Sequence, residues 1–395
     1  MKIVHMSDNH LGKAQFHLAE REEDLYKAFD AAVNLALRRD PDLVIHTGDL
    51  FDSYRPHPRA FVRAFEGLLR IVERGIPIAI IEGNHELGPD TVRRRMASPL
   101  INLGKLFERL GYGKLFVRLG PGAVRLGDLV VAGAPYASRG VKIADTVESL
   151  NRKARNLCEN CPKVLMLHQG VRGMIKAIYP EVDFSEIAKS SFDYVAMGHY
   201  HNKVVRRSGN RVFAYSGSTE VIETREIPLA GEGKYILVAE IERDEIGVEE
   251  IRLRTRPFLY FSETLSSTQE LFSLIERLKD KLTSQKFDEK PVVYGKLSLR
   301  GDMRPGTPTL EIKRALIDLS LYVIVRESRI VEEDEERDVL TGIGLEELVQ
   351  NAIASLELDQ DVRSLALRIF DLWYREGKRG EAFVKGVLSL EEGRK

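Results

Sequence analysis

The chain has 395 residues with 59 Lys+Arg against 60 Asp+Glu, a formal charge of −1 that excludes a uniformly basic binder of the histone kind. At roughly 100–200 residues per domain this length calls for two or three domains, and two cysteines cannot staple a disulfide-built scaffold. Asp8 arrives before any apolar run long enough for a signal peptide, and segment 76–81 is too short to cross a bilayer, so the expected setting is the cytoplasm with no membrane partner.

The first half repeats one pattern, an apolar run ending in a polar turn, at residues 2–10 (KIVHMSDNH), 42–52 (DLVIHTGDLFD), 76–86 (IPIAIIEGNHE), 163–170 (KVLMLHQG) and 194–201 (YVAMGHYH). Such near-continuous Val/Ile/Leu/Met runs read as strands buried on both faces. Between the first three lie helical patterns: Leu25, Phe29, Val33 and Ala36 after an acidic turn, then Phe61, Phe65, Leu68 and Val72 before Gly75. Alternating strand and helix imply parallel βαβ units, whose ligands lie beyond the carboxyl ends of the strands. Period-two strands at 211–215, 234–241 and 248–254, together with 129–134, predict a second sheet stacked on the first. The expected fold is α/β, a four-layer α/β/β/α sandwich over residues 1–256.

Pro257 marks the predicted boundary of a small α+β domain, 257–331, with helices near 269–282 and 310–319 and strands near 291–299 and 321–325. The acidic run at 332–338 reads as a solvated linker, 332–339. Beyond it, 340–395 reads as a helical tail with one apolar stripe through Leu345, Leu348, Val349, Ala352, Ile353 and Leu356 and another through Leu365, Ile369, Phe370 and Trp373. Short amphipathic helices beyond a solvated linker need a partner or the body of the protein to cover them.

All nine histidines lie between His5 and His201. Asp8 and His10, two apart on an extended segment, can face one ion, and His199 with His201 make a second such pair. Asp49 can bridge two cations through its carboxylate, Asn84 offers an amide oxygen and His168 an imidazole. These seven side chains suffice for two metal sites sharing Asp49. Oxygen and imidazole donors without thiolate favour Mn²⁺, with Fe²⁺, Zn²⁺ and Mg²⁺ as alternatives. His5 and His46, inside strands, are expected to pack and not to ligate. His17 and His57 fall in loops, and Cys158 with Cys161 form a lone CxxC, inert or locally bridged.

Taken together, SDNHLG, TGDLFD followed by Arg55-Pro56, EGNHE, LHQG, GHYH and YSGSTE resemble the calcineurin-type metallophosphoesterases. More narrowly they resemble the SbcD-type nuclease subunits of double-strand break repair complexes, with spellings nearest the archaeal members. The resemblance covers about the first 225 residues. It implies a manganese-dependent DNA nuclease with two Mn²⁺ ions per subunit, acting as a 3′→5′ exonuclease and single-strand endonuclease. It further implies that 257–331 is a capping domain selecting DNA ends, and that the tail binds the coiled coil of an ABC ATPase. A homodimer and a location at the nucleoid complete the picture.

Two positions depart from many members, which read GNHD where Glu86 stands here and in some cases His where Asp52 stands. The spelling GD-x-x-D with GNHE belongs to the phosphatase branch, in which the second Asp orients the GNH histidine. Asp52 is therefore expected to hold His85, and His85 to donate a proton to the leaving oxygen or to stabilise phosphate charge. The same spelling supports the alternative, a metallophosphatase or cyclic-nucleotide phosphodiesterase on small substrates. DNA contacts in a neutral chain must be local, and Lys13, Arg55, Arg59, Arg93, Arg94 and Arg95 are the candidates.

Overall fold

The computed structural model describes residues 1–87, 98–138, 141–175, 181–242, 245–301, 303–330 and 367–368. Arg93, Arg94 and Arg95, the acidic linker and the tail positions Leu345, Leu348, Ile353, Leu365, Ile369 and Trp373 lie outside the described residues. Contacts divide the chain into two compact units. The first comprises Met1–Glu263, Thr268–Leu297 and Gly306–Arg326, and the second Thr264–Ser267, Ser298–Pro305 and Glu327–Lys395.

The first unit holds two six-stranded sheets. In the first, β1 (Lys2–Met6), β2 (Leu43–His46), β3 (Ile78–Ile80) and β4 (Phe116–Arg118) run parallel. Antiparallel β13 (Lys234–Ile241) and β14 (Ile246–Leu253) extend it beyond β1. In the second, β6 (Leu129–Ala134), β7 (Lys163–His168), β10 (Tyr194–Gly198) and β12 (Arg211–Tyr215) run parallel. Its antiparallel edges are β5 (Gly122–Leu126) and β11 (Val204–Ser208). A two-residue pair, β8 (Val171–Arg172) and β9 (Val182–Asp183), stands apart.

Side-chain alternation then builds the layers. Ile3, Ile45, Ala79, Val131, Met166 and Ala196 point between the sheets into one buried cluster. Val4, Val44 and Ile80 point outward to meet Phe29, Val33 and Leu68 of α1 (Ala19–Arg39) and α2 (Pro58–Val72), together with Leu103 and Phe107 of α3 (Pro99–Arg109). On the far side Leu165 and Val195 meet Val147 and Leu150 of α4 (Ile143–Leu157). A single turn, α5 (Phe184–Ile187), joins that cluster. The order of layers is therefore α/β/β/α.

Strand allocation departs from the sequence expectation. Segments 163–168 and 194–198 belong to the second sheet, and 234–241 and 246–253 belong to the first. The reason is physical: Leu237 and Ala239 face the inter-sheet core while Ile236 and Val238 face the helices, so β13 is buried on both sides like the parallel strands and carries no signal of which sheet it joins.

Past Pro257, strands β15 (Phe258–Leu265), β16 (Val292–Leu299) and β17 (Tyr322–Arg329) form a three-stranded sheet in that order. Helices α6 (Thr268–Ser284) and α7 (Thr307–Leu316) accompany it. At the predicted boundary Arg256 is buried. Its Nη2 donates to Asp24 Oδ1 at 2.8 Å and its amide to Glu220 Oε2 at 3.1 Å, while Arg21 Nη1 donates to Asp24 Oδ2 at 2.6 Å. The YSGSTE glutamate thus fastens the end of the sandwich to α1. Cys158 and Cys161 are joined by a disulfide.

Candidate metal centre

Every metal-type side chain singled out above sits where a strand ends. Asp8 and His10 follow β1, Asp49 follows β2, Asn84 and His85 follow β3, His168 closes β7, and His199 and His201 follow β10. Because the two sheets face each other with these ends on one side, five turns converge. The turns are sharp: Asp8, His10, Asp49 and His199 all have positive φ, at 52°, 48°, 54° and 86°. Left-handed backbone costs a non-glycine residue about 1–3 kcal/mol, and such strain collects at functional sites. Gly48, at φ +99°, and Gly83 let the turns touch, since a Cβ on Gly48 would lie 2.7 Å from the Gly83 amide and one on Gly83 would collide with the Asp49 carboxylate.

Asp49 stands at the focus. Its Oδ2 lies 3.1 Å from His168 Nε2 and 3.7 Å from His10 Nε2, while its Oδ1 accepts the His85 amide at 2.9 Å. One carboxylate oxygen, and not one of each, therefore faces both sides. On one side Asp8, His10 and His201 bring ligand atoms within 4.8 Å of one another, and on the other Asp49, His168 and His199 do so. Asn84 Oδ1 completes the second group, 3.2 Å from His168 Nε2 and 2.9 Å from His199 Nδ1.

The far edges of the imidazoles are anchored. His10 Nδ1 donates to Asp52 Oδ1 at 3.0 Å, His168 Nδ1 to the Thr47 carbonyl at 2.6 Å, and His201 Nδ1 to Glu226 Oε1 at 2.7 Å. Each Nδ1–H bond aims Nε2 at the centre, the arrangement metal-binding histidines adopt. Among the described residues His10 Nε2 is buried with no hydrogen-bond partner. An orphaned imidazole nitrogen between two carboxylates fits a divalent cation.

Electrostatics point the same way. Burial holds His10 below its ordinary value and His199 down to about 4. Burial also opposes charge on His168, yet the adjoining Asp49 carboxylate outweighs it and pushes the imidazole up to about 9. Asp49 in turn stays far below the carboxylate range despite its burial, because His168 and His10 face it. A cation at Oδ2 would compete with the His168 proton.

The expected Asp52–His85 pairing takes another form. The Asp52 carboxylate accepts from His10 and, at 3.0 Å, from Lys13 Nζ. His85 Nδ1 donates instead to the Asp52 main-chain carbonyl at 2.9 Å, with the nearer carboxylate oxygen at 3.7 Å. His85 is half-buried, its ring edge-on to His10 at 4.6 Å between centroids.

A calcineurin-like phosphoesterase profile matches residues 1–203. The chain belongs to the calcineurin-like phosphoesterases. Among curated relatives, the DNA double-strand break repair protein Mre11 of Methanococcus maripaludis is 31% identical over 366 residues, covering 91% of this chain and 92% of that protein. The Mre11 of Methanocaldococcus jannaschii is 30% identical, covering 88% and 87%, and that of Sulfurisphaera tokodaii 27% identical, covering 90% and 88%.

Within this calcineurin-like site, sequence reasoning missed the supports. Glu86 is fully buried and accepts three amides, those of Asp49 (3.0 Å), Phe51 (2.9 Å) and Gly83 (2.8 Å), so it staples two ligand turns together. Burial and the neighbouring Asp49 charge push it up to about 8. Glu226, held low by Lys234 and His201 against its burial, fixes the His201 ring. The sequence signal for Glu86 was a carboxylate beside a ligand turn, and Glu226 had none. His5 and His46 are core groups. His5 bridges Tyr194 and Thr47 at 3.0 Å each, and His46 Nε2 meets Asn9 Oδ1 at 2.6 Å.

Of the DNA candidates, Arg55 is exposed over the Tyr54 ring, Lys13 is paired to Asp52, and Arg59 is paired to Glu23 over the Tyr26 ring. Among the described residues no helix is long and apolar enough to cross a membrane.

Proposed function

We propose that the chain is a manganese-dependent DNA nuclease of double-strand break repair, hydrolysing phosphodiesters as a 3′→5′ exonuclease and single-strand endonuclease. The observation that carries the chemistry is the convergence of five turns from two sheets on Oδ2 of Asp49. The repair setting rests on kinship with Mre11 proteins along most of the chain. Asp8, His10 and His201 would hold one Mn²⁺ ion and Asn84, His168 and His199 a second, with Asp49 shared between them. Such ions supply Lewis acidity and water activation for in-line displacement.

The chain's own residues do the rest. Asp52, Thr47 and Glu226 fix three imidazoles so that each Nε2 already points inward, which lowers the reorganisation that metal binding would need. His85 reaches the centre without belonging to either ligand group. With Nδ1–H tied to the Asp52 carbonyl, its Nε2 is the proton-bearing edge when the ring is charged, placed to protonate the leaving 3′ oxygen.

Incubation with Mn²⁺ and either labelled single-stranded DNA or a small phosphomonoester tests this reading. Cleavage of the DNA, with kcat/KM at least a hundredfold above the monoester, is expected. The reverse order would support the small-substrate phosphatase alternative and overturn the nuclease.

The partners we propose are DNA ends and single-stranded DNA, a coiled-coil ABC-type repair ATPase and a second copy of the chain. For the second copy, exposed Val62 and the cleft lined by Phe61 and Leu106 on α2 and α3 offer an apolar face. For the ATPase, the tail stripes supply helix-in-groove anchors. Deleting the residues after Glu336 is expected to leave Mn²⁺-dependent cleavage of single strands intact and to abolish association with the ATPase. Leu348→Glu with Ile369→Glu should weaken association at least a few hundredfold, since two charges buried unpaired cost several kcal/mol. Co-purification of that variant at wild-type yield would exclude the tail as the docking element.

A further inference from the structure

Beside the metal centre, at the carboxyl ends of β3 and β6, lies a cavity of about 400 Å³. It is lined by Glu82, Arg118, Pro135, Tyr136, Val141 and Ile143 among others, and none of these belongs to the metal centre. Tyr136 joins the two regions. Its ring centroid is 5.6 Å from that of His199, tilted by 34°, and 6.2 Å from that of His168, while its amide donates to the Glu82 carbonyl at 2.9 Å. Glu82 is 2% exposed; its Oε1 accepts from Arg118 Nη1 at 2.7 Å, and its Oε2 is buried with no hydrogen-bond partner among the described residues. Arg118 keeps further N–H donors on a half-buried guanidinium.

A flat aromatic wall, apolar sides, an unsatisfied carboxylate oxygen and a guanidinium beside it match one ligand class: a nucleobase attached to the phosphate lying on the metals. The volume falls in the range of small-molecule sites. Stacking on an aromatic ring is indifferent to base identity. The Watson–Crick edge of every base sets an N–H donor beside an acceptor, which are the complements of Glu82 Oε2 and Arg118. In a duplex that edge is already used.

We propose that this cavity holds the base next to the scissile phosphate, stacked on Tyr136 with its Watson–Crick edge against Glu82 and Arg118, and so selects an unpaired nucleotide of any sequence. The proposal rests on the nuclease reading and adds to it how single-strandedness is sensed. Binding of dCMP, dTMP, N3-methyl-dTMP and deoxyribose 5-phosphate to the Mn²⁺-loaded full chain, followed by calorimetry, tests it without turnover. We expect dCMP and dTMP to bind within threefold of each other and at least tenfold tighter than the other two.

Tyr136→Leu should cut the advantage of dCMP over deoxyribose 5-phosphate to threefold or less. Glu82→Gln should shrink the advantage of dTMP over N3-methyl-dTMP in the same way. In both variants unchanged metal content serves as the control for folding. Equal binding of all four ligands by the wild type, or variants that retain the wild-type ratios, would overturn the inference. Absence of Mn²⁺-dependent DNA cleavage would instead overturn the nuclease reading, a separate result.

Discussion

Asp49→Ala is expected to remove both proposed metal ions and, with them, all detectable hydrolysis. Its Oδ2 faces His168 on one side and His10 on the other, and its Oδ1 ties down the His85 amide, so no neighbouring group can replace it. His10→Ala and Asn84→Ala, each on one side of that oxygen, should weaken mainly one ion. Loss of a group that only orients a ligand typically costs 10–100-fold in metal affinity, so loss of a ligand should cost at least as much, and elemental analysis across a Mn²⁺ titration separates the two outcomes. Retention of one ion at full occupancy in the Asp49 variant would contradict the shared role.

His85→Ala is expected to give the second large effect, a fall in kcat on the order of 10²–10⁴ with the metal content unchanged, if the imidazole acts on the leaving group and does not coordinate as proposed. KM for single-stranded DNA should change little. Asp52→Asn separates the roles further. Its carboxylate reaches His10 and Lys13, and only its carbonyl reaches His85. The variant should therefore need more Mn²⁺ for half-maximal rate yet recover near-normal kcat at saturating metal. A kcat defect as deep as that of His85→Ala at saturating Mn²⁺ would mean that the carboxylate itself serves the proton transfer.

What the sequence revealed and what it hid follow from the range of each interaction. Asp8 with His10, and His199 with His201, are legible because ligand and strand signal share a few residues, so the turn chemistry and the buried run are read together. Glu86 was read only as a spelling variant, since its three amide partners come partly from residues 49 and 51, on another turn. Glu226 grips His201 from 25 positions away with no motif linking them. Asp52 shows a finer limit, in that spacing placed it beside His85 but could not say whether carboxylate or carbonyl makes the bond. Strand 234–241 was recognised as a strand and assigned to the wrong sheet, because burial on both faces leaves the same periodicity whichever sheet a strand joins, and 248–254, its antiparallel neighbour, was misassigned with it.

Anomalous scattering from a crystal grown with Mn²⁺ tests most directly whether a pair of ions shares one oxygen of Asp49. Two peaks about 3.5–4 Å apart are expected, one beside Asp8, His10 and His201, the other beside Asn84, His168 and His199, with Asp49 Oδ2 next to both. A single peak, or two peaks of which one has no contact with Asp49, would contradict it.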